Sequence, residues 1–118
     1  MAIGLGSRSN VVYLLDFGLS KCYKDKTTGA HIPYMDNKQF VGTARFASIN
    51  AHMGIELSRR DDLEALGYVL IFLIAGKLPW QNLGPKGEDK MYEKILQIKV
   101  STSIEKFCQG IPGIFSMS

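Results

Sequence analysis

Apolar residues are spread unevenly along the chain, and their spacing predicts a few elements separated by one long irregular stretch. Val11-Val-Tyr-Leu-Leu15 is a short, nearly continuous apolar run rich in β-branched residues, with Ser7-Arg-Ser-Asn10 before it and Asp16-Phe-Gly18 after it. That pattern predicts a buried strand. Ile3 to Gly6 is placed to pair with it through the Ser-Arg-Ser-Asn turn. Residues 19–54 show no sustained period and are punctuated by Thr27-Thr-Gly29, Ile32-Pro33, Asp36-Asn37 and Gly42-Thr43. So long an irregular segment in a compact domain is usually functional or disordered. Ser58-Arg-Arg-Asp61 sets a hydroxyl three residues before an acid, which marks a helix start. The helix is expected to run to about Ala75, with Gly76 as its C-cap. Its stretch Ala65 to Ala75 is apolar all round apart from Gly67, so it is expected to be buried on all sides. Pro79-Trp80 marks a turn and Gly84-Pro-Lys-Gly87 a loop. Glu88 to Ile98 predicts a second helix with Met91, Ile95 and Ile98 on one face. A weaker third helix is expected over Ser103 to Cys108, before Gly110-Ile-Pro-Gly113. The fold class these elements imply is α+β, mainly helical.

Composition narrows the function classes. The 118 residues suffice for one small domain. Residues 1–50 carry 6 basic and 3 acidic side chains and residues 51–118 carry 8 of each, so the whole excess of +3 lies in the first half. That bias is too small to argue for nucleic-acid binding, and aromatic residues are not interleaved with basic ones. An apolar fraction of 46% with 21% charged residues excludes wholesale disorder. Cys22 and Cys108 form no motif and fit a reduced intracellular protein, cytoplasmic or nuclear, better than a disulfide scaffold. The first ten residues hold no apolar run of signal-peptide length. The longest apolar run, Ala65 to Ala75, falls well short of the roughly 20 residues that span a bilayer. No membrane partner and no nucleic-acid partner is expected. His31 and His52 stand apart from each other and from the cysteines, which gives no metal-ligand spacing. No Ser-His-Asp or nucleophile-elbow pattern occurs.

Chemistry enters with Asp16-Phe17-Gly18. A carboxylate at the end of a buried strand is placed to hold Mg²⁺, and a glycine two residues on lets the backbone turn. The plainer reading is an Asx-type turn that closes the strand. Asp16-Phe-Gly-Leu-Ser-Lys21 resembles the metal-binding loop of protein kinases. It is followed in kinase order by Gly42-Thr-Ala-Arg-Phe-Ala47, by Asp62-Leu-Glu-Ala-Leu-Gly67 and by Gly76-Lys-Leu-Pro-Trp80. Where most kinases carry Ala-Pro-Glu, this chain has Ser48-Ile49-Asn50. With His31-Ile-Pro-Tyr34 and Ser58-Arg-Arg-Asp-Asp-Leu-Glu64, that substitution resembles the casein kinase 1 family of Ser/Thr kinases, over about residues 4–115.

The resemblance implies a fold, a reaction and a set of roles. The fold is the middle of a kinase large lobe: a short β hairpin, an activation segment and a buried central helix. The reaction is transfer of the ATP γ-phosphoryl group to Ser or Thr of proteins with acidic or phosphorylated residues near the target. Asp16, with Phe17 and Gly18, would form the metal and nucleotide loop, Asp16 binding Mg²⁺ and Phe17 packing under the helix that sets the active geometry. Thr43 would sit in the substrate-receiving loop. Arg45 would recognise an anionic side chain upstream of the target hydroxyl, as a guanidinium fork meets phosphate oxygens bidentately. Lys21 and Lys38 would belong to a second basic cluster. Asp62 would be a buried aspartate bonded to the backbone of the catalytic loop. Trp80 is expected to be a packed anchor. Met91 stands where the family usually has a lysine, and Lys90 lies one residue earlier. One residue rotates a helical side chain by about 100°, which takes Lys90 off that position.

The 118 residues contain no strand lysine of the Val-Ala-Ile-Lys kind and no His-Arg-Asp loop. Gly4-Leu-Gly-Ser-Arg-Ser9 begins like a glycine-rich loop but has serine where the last glycine belongs. The whole chain, 1–118, is therefore expected to be a partial kinase domain that starts just after the catalytic loop. ATP and Mg²⁺ belong to the complete enzyme, and the chain alone is expected to be inactive. The competing expectation is a non-catalytic, truncated kinase that acts as a protein-binding module or decoy. Retention of Asp16 favours the first.

Overall fold

The computed structural model describes residues 1–40, 42–81 and 88–107. The chain divides into two compact units, Met1–Ile32 and Pro33–Ser118. It combines a two-stranded antiparallel hairpin with helices and so belongs to the α+β class.

In the first unit, β1 (Ala2–Ile3) pairs antiparallel with β2 (Val12–Tyr13), with Ala2 opposite Tyr13 and Ile3 opposite Val12. A 3-10 turn over Gly6–Arg8 joins them. Gly4 is needed there because a Cβ would lie 2.3 Å from the Arg8 carbonyl oxygen. The strand predicted over Val11–Leu15 is thus two residues long, and it is not buried: Val12, Leu14 and Leu15 are 59%, 67% and 61% exposed. A two-residue ladder offers one face and few partners, so a continuous apolar run finds no second layer to sink into. Its partner strand is Ala2–Ile3, so the expected pairing holds at Ile3, with the Gly4 amide bonded to Val11 O at 3.0 Å, and extends to Ala2. A second turn is closed by Asp25, whose Oδ1 accepts from the Thr27 and Thr28 amides at 2.7 and 2.8 Å. Those two bonds hold the Asp25 carboxyl below the usual range.

The second unit is helical. The elements are α1 (Ile49–His52), α2 (Arg59–Ala75), α3 (Glu88–Ser101) and α4 (Ile104–Phe107). The sequence pattern missed α1 inside the irregular stretch, since one turn is too short to show a period. Ser58 and Asp61 start α2 as expected, Asp61 Oδ2 accepting from the Ser58 amide at 2.8 Å. Gly76 ends the helix in the left-handed region (φ 80°), its amide bonded to the Phe72 carbonyl. Helix α3 runs three residues past the expected Ile98, and α4 falls within the predicted third helix. Cys108, the Gly84–Gly87 loop and Gly110–Gly113 lie outside the described residues.

Leu78, Trp80 and Ile95 form the core, with Phe46, Tyr68, Ile71, Phe72, Met91 and Ile98 packed against it. The expected face of α3 is therefore the one that packs. Helix α2 departs from expectation. Tyr68, Ile71 and Phe72 share the inward face, while Leu63, Leu66, Leu70 and Leu73 remain 37–69% exposed. A helix apolar all round is buried only where elements pack on every side, and the described residues cover one side. No helix among them is long and apolar enough to cross a membrane.

Two backbone bonds tie residues 35–38 to the segment after α1: Lys38 N–H to Gly54 O and Glu56 N–H to Met35 O, each 2.8 Å. Gly54 has φ +73°, and a Cβ there would meet Lys38 O at 2.7 Å. Gly54→Ala is expected to cost about 1–3 kcal/mol, read as an earlier urea midpoint. Gly67→Ala, inside α2 with nothing within 4 Å of the new Cβ, is expected to add up to about 1 kcal/mol. The reverse order of midpoints would contradict this packing.

Candidate functional site

The segment Thr43–His52 is tied down by four side chains from other parts of the second unit. Thr43 O accepts the Phe46 and Ala47 amides at 3.2 and 3.1 Å, which forms a tight loop. Ser48 then caps α1: its Oγ accepts from the Ala51 amide at 3.1 Å and donates to Asp61 Oδ1 at 2.9 Å. Ser48 and Asp61 are both buried. Glu64 Oε2 accepts from the Ile49 amide at 2.7 Å and from the Tyr68 hydroxyl at 2.9 Å. Two of the free amides of this one-turn helix, those of Ile49 and Ala51, thus find acceptors in Glu64 of α2 and in Ser48.

Lys99 of α3 supports the segment from within. It is only 4% exposed. Its ammonium donates to Ala44 O at 2.8 Å and Ala47 O at 2.6 Å, and lies 2.9 Å from His52 Nε2. The rings of Tyr68 and Trp80 flank it at 5.2 and 5.0 Å. Burial brings the Lys99 ammonium down to about 8, opposed by the Glu64 carboxylate. Burial, and then the Lys99 charge, bring His52 down to about 4. At neutral pH the Lys99 ammonium, which has no lone pair and can only donate, therefore faces a neutral His52 imidazole. Phe40 stacks on His52 and on Tyr92, both at 5.3 Å between ring centroids. Burial, and then Glu64, push the Tyr68 phenol upward.

The predicted site residues fall out as follows. Thr43 and Arg45 are exposed on the tied loop. The Arg45 carbonyl accepts from Trp80 Nε1 at 2.7 Å, and its guanidinium lies over the Phe46 and Phe72 rings at 6.0 and 5.7 Å. Trp80, 2% exposed, is the packed anchor expected. Thr43 and Asp62 line one cavity of about 260 Å³, together with Ala47, Leu57 and Ala65. Asp62, however, is exposed, and the buried acid is Asp61. The helix start draws Asp61 inward onto Ser48 and Ser58, and the next residue is turned about 100° away. Lys38 pairs with Glu56 at 2.5 Å, so its charge is already matched.

Asp16, Phe17, Gly18 and Lys21 belong to the first unit. Asp16 makes the Asx-type turn: its Oδ1 accepts from the Gly18 amide at 3.1 Å. Its φ is 65°, a region that residues other than glycine visit seldom, asparagine and aspartate more readily than most. Phe17 is 66% exposed. No group of three His, Cys, Asp or Glu side chains able to hold a cation occurs among the described residues. Mg²⁺ on one carboxylate keeps most of its water, so a magnesium site at Asp16 would need further ligands. No protein-family model matches the chain.

Sequence reasoning missed Lys99, His52 and Glu64, and gave Asp61 only as the acid of the helix start. One signal was present: Lys99 follows Ile95 by four residues and Met91 by eight, which puts a cation on the apolar face of α3.

The His52 pairing fixes a pH dependence. The folded chain gives up this proton near pH 4, where an unfolded histidine holds it from about 6.5 downward. The stability cost is absent above pH 6.5, grows as pH falls through that window and is complete below about 4. Urea midpoints of the native chain are expected to fall across it. His52→Gln keeps a neutral acceptor and is expected to flatten that part of the profile. An equal slope in both proteins would contradict the pairing.

Proposed function

We propose that this chain is part of a Ser/Thr protein kinase similar to the casein kinase 1 family, which moves the ATP γ-phosphoryl group onto proteins with acidic or phosphorylated residues near the target hydroxyl. The observation that carries this reading is the Thr43–Ala47 loop. It is held from inside by Lys99 and Trp80 and leaves Arg45 exposed. A rigid loop that offers a guanidinium is suited to an anionic peptide side chain, since little conformational freedom is left to lose on binding. The order of the sequence blocks from Asp16 to Trp80 supports the same reading. So does the left-handed backbone at Asp16, since strained conformations of this kind cluster at functional sites.

In this reading the chain contributes the metal-loop carboxylate, Asp16, and the substrate loop. ATP and Mg²⁺ act in the complete kinase, with ligands beyond Asp16. A second reading, a non-catalytic module that uses the Arg45 surface, is favoured by one fact: the ties described for the loop all come from residues 48–99 of the same chain.

A fluorescent serine peptide with a phosphoserine upstream is the direct test. The chain is expected to bind it, and Arg45→Ala to weaken binding roughly tenfold, the loss of one charge-assisted contact. The unphosphorylated peptide should bind at least as weakly as in the variant. Equal affinity in native chain and variant would remove Arg45 from the reading. With labelled ATP and Mg²⁺ the chain alone is expected to give no phosphopeptide product; turnover abolished by Asp16→Ala would show that it catalyses unaided.

A further inference from the structure

A lysine near the end of a helix usually reaches out to solvent along its own stem. Lys99 does the opposite. It follows Ile95 and Ile98 on the inward side of α3 and stays buried. An ammonium has three N–H groups, and here each has an acceptor: Ala44 O, Ala47 O and His52 Nε2. All three acceptors lie in one segment of the chain, residues 44–52, roughly fifty residues before Lys99. Between the two bonded carbonyls lies Arg45, and its own carbonyl is taken by Trp80. One end of α3 therefore sets the path of the backbone on both sides of Arg45.

We propose that Lys99 is the positioning residue of the Thr43–Ala47 loop, fixing through its ammonium the backbone from which Arg45 meets an anionic side chain of a protein partner. The role given to Arg45 rests on the function proposed above; the hold on the loop does not. The titratable groups that face Lys99 are His52 of α1 and Glu64 and Tyr68 of α2. Glu64 favours the charged ammonium and is itself engaged with Ile49 and Tyr68, so it supports Lys99 without replacing any of the three bonds. An apolar side chain of similar length would fill the space but leave two carbonyls without a donor.

Amide hydrogen exchange on the full 118-residue chain tests this. The Phe46 and Ala47 amides report the loop, because both bond to Thr43 O. In Lys99→Met their protection is expected to fall roughly tenfold or more, with the mid-α2 amides unchanged. Affinity for the phosphoserine peptide should fall with it, although Lys99 is buried away from the peptide. His52→Gln retains an acceptor and should keep the protection. Unchanged protection of Phe46 and Ala47 in Lys99→Met overturns the proposal.

If Lys99→Met does not fold, the native chain decides. With ¹⁵N-labelled lysine and alanine ¹³C-labelled at the carbonyl, Lys99 ammonium protons that exchange slowly and couple to the Ala44 and Ala47 carbonyl carbons support the proposal. Protons that exchange as fast as those of surface lysines overturn it. Failure of the native chain to bind the peptide would refute the reading of Arg45, and the exchange result alone would then decide Lys99.

Discussion

The ammonium of Lys99 is enclosed by protein, and an enclosed charge is stable only if every proton it carries finds a partner. That requirement organises the second unit. Two carbonyls of the Thr43–Ala47 loop and the imidazole of His52 must converge on one point, and the aromatic rings of Tyr68 and Trp80 must close around it. The loop has little freedom left once those conditions are met. Trp80 adds the Arg45 carbonyl to the same assembly, so the core and the loop are one structure rather than a scaffold with an appendage.

Helix α2 serves two purposes on its two sides. The inward side carries Asp61, Glu64 and Tyr68 toward the loop and α1, and then Ile71 and Phe72 toward the core. Its polar start supplies acceptors to the Ser48 hydroxyl and the Ile49 amide, and its apolar end supplies surface to the core of Leu78, Trp80 and Ile95. The other side carries the leucine row, which the described residues leave open.

Much of the local structure was legible from residue order. The limits of α2 followed from Ser58, Asp61 and Gly76, since caps act within one turn and leave a local signature. The packed face of α3 followed from the spacing of Met91, Ile95 and Ile98. Trp80 as an anchor followed from its size and its place after Pro79. The hairpin was located but misjudged in depth, because an apolar run states what a segment could bury and not whether anything covers it. The Asp61–Asp62 pair shows the same limit. The spacing from Ser58 marked Asp61 as the capping acid, but only the direction in which the helix leaves its cap makes that acid, and not Asp62, the buried one.

The sequence by itself determined the caps, the helix limits, the core face of α3 and the order of blocks on which the kinase resemblance stands. These depend on residues at most a few positions apart, where periodicity and local hydrogen bonding act. Tertiary structure alone decided that Lys99, roughly fifty residues away in the chain, holds the loop that bears Arg45; that His52 is a neutral acceptor; and that Lys38 is matched by Glu56. The physical reason is that a charge is defined by its surroundings. Whether a lysine is a solvated surface cation or the buried donor that shapes a loop depends on which carbonyls the fold brings to it, and no spacing along the chain records that.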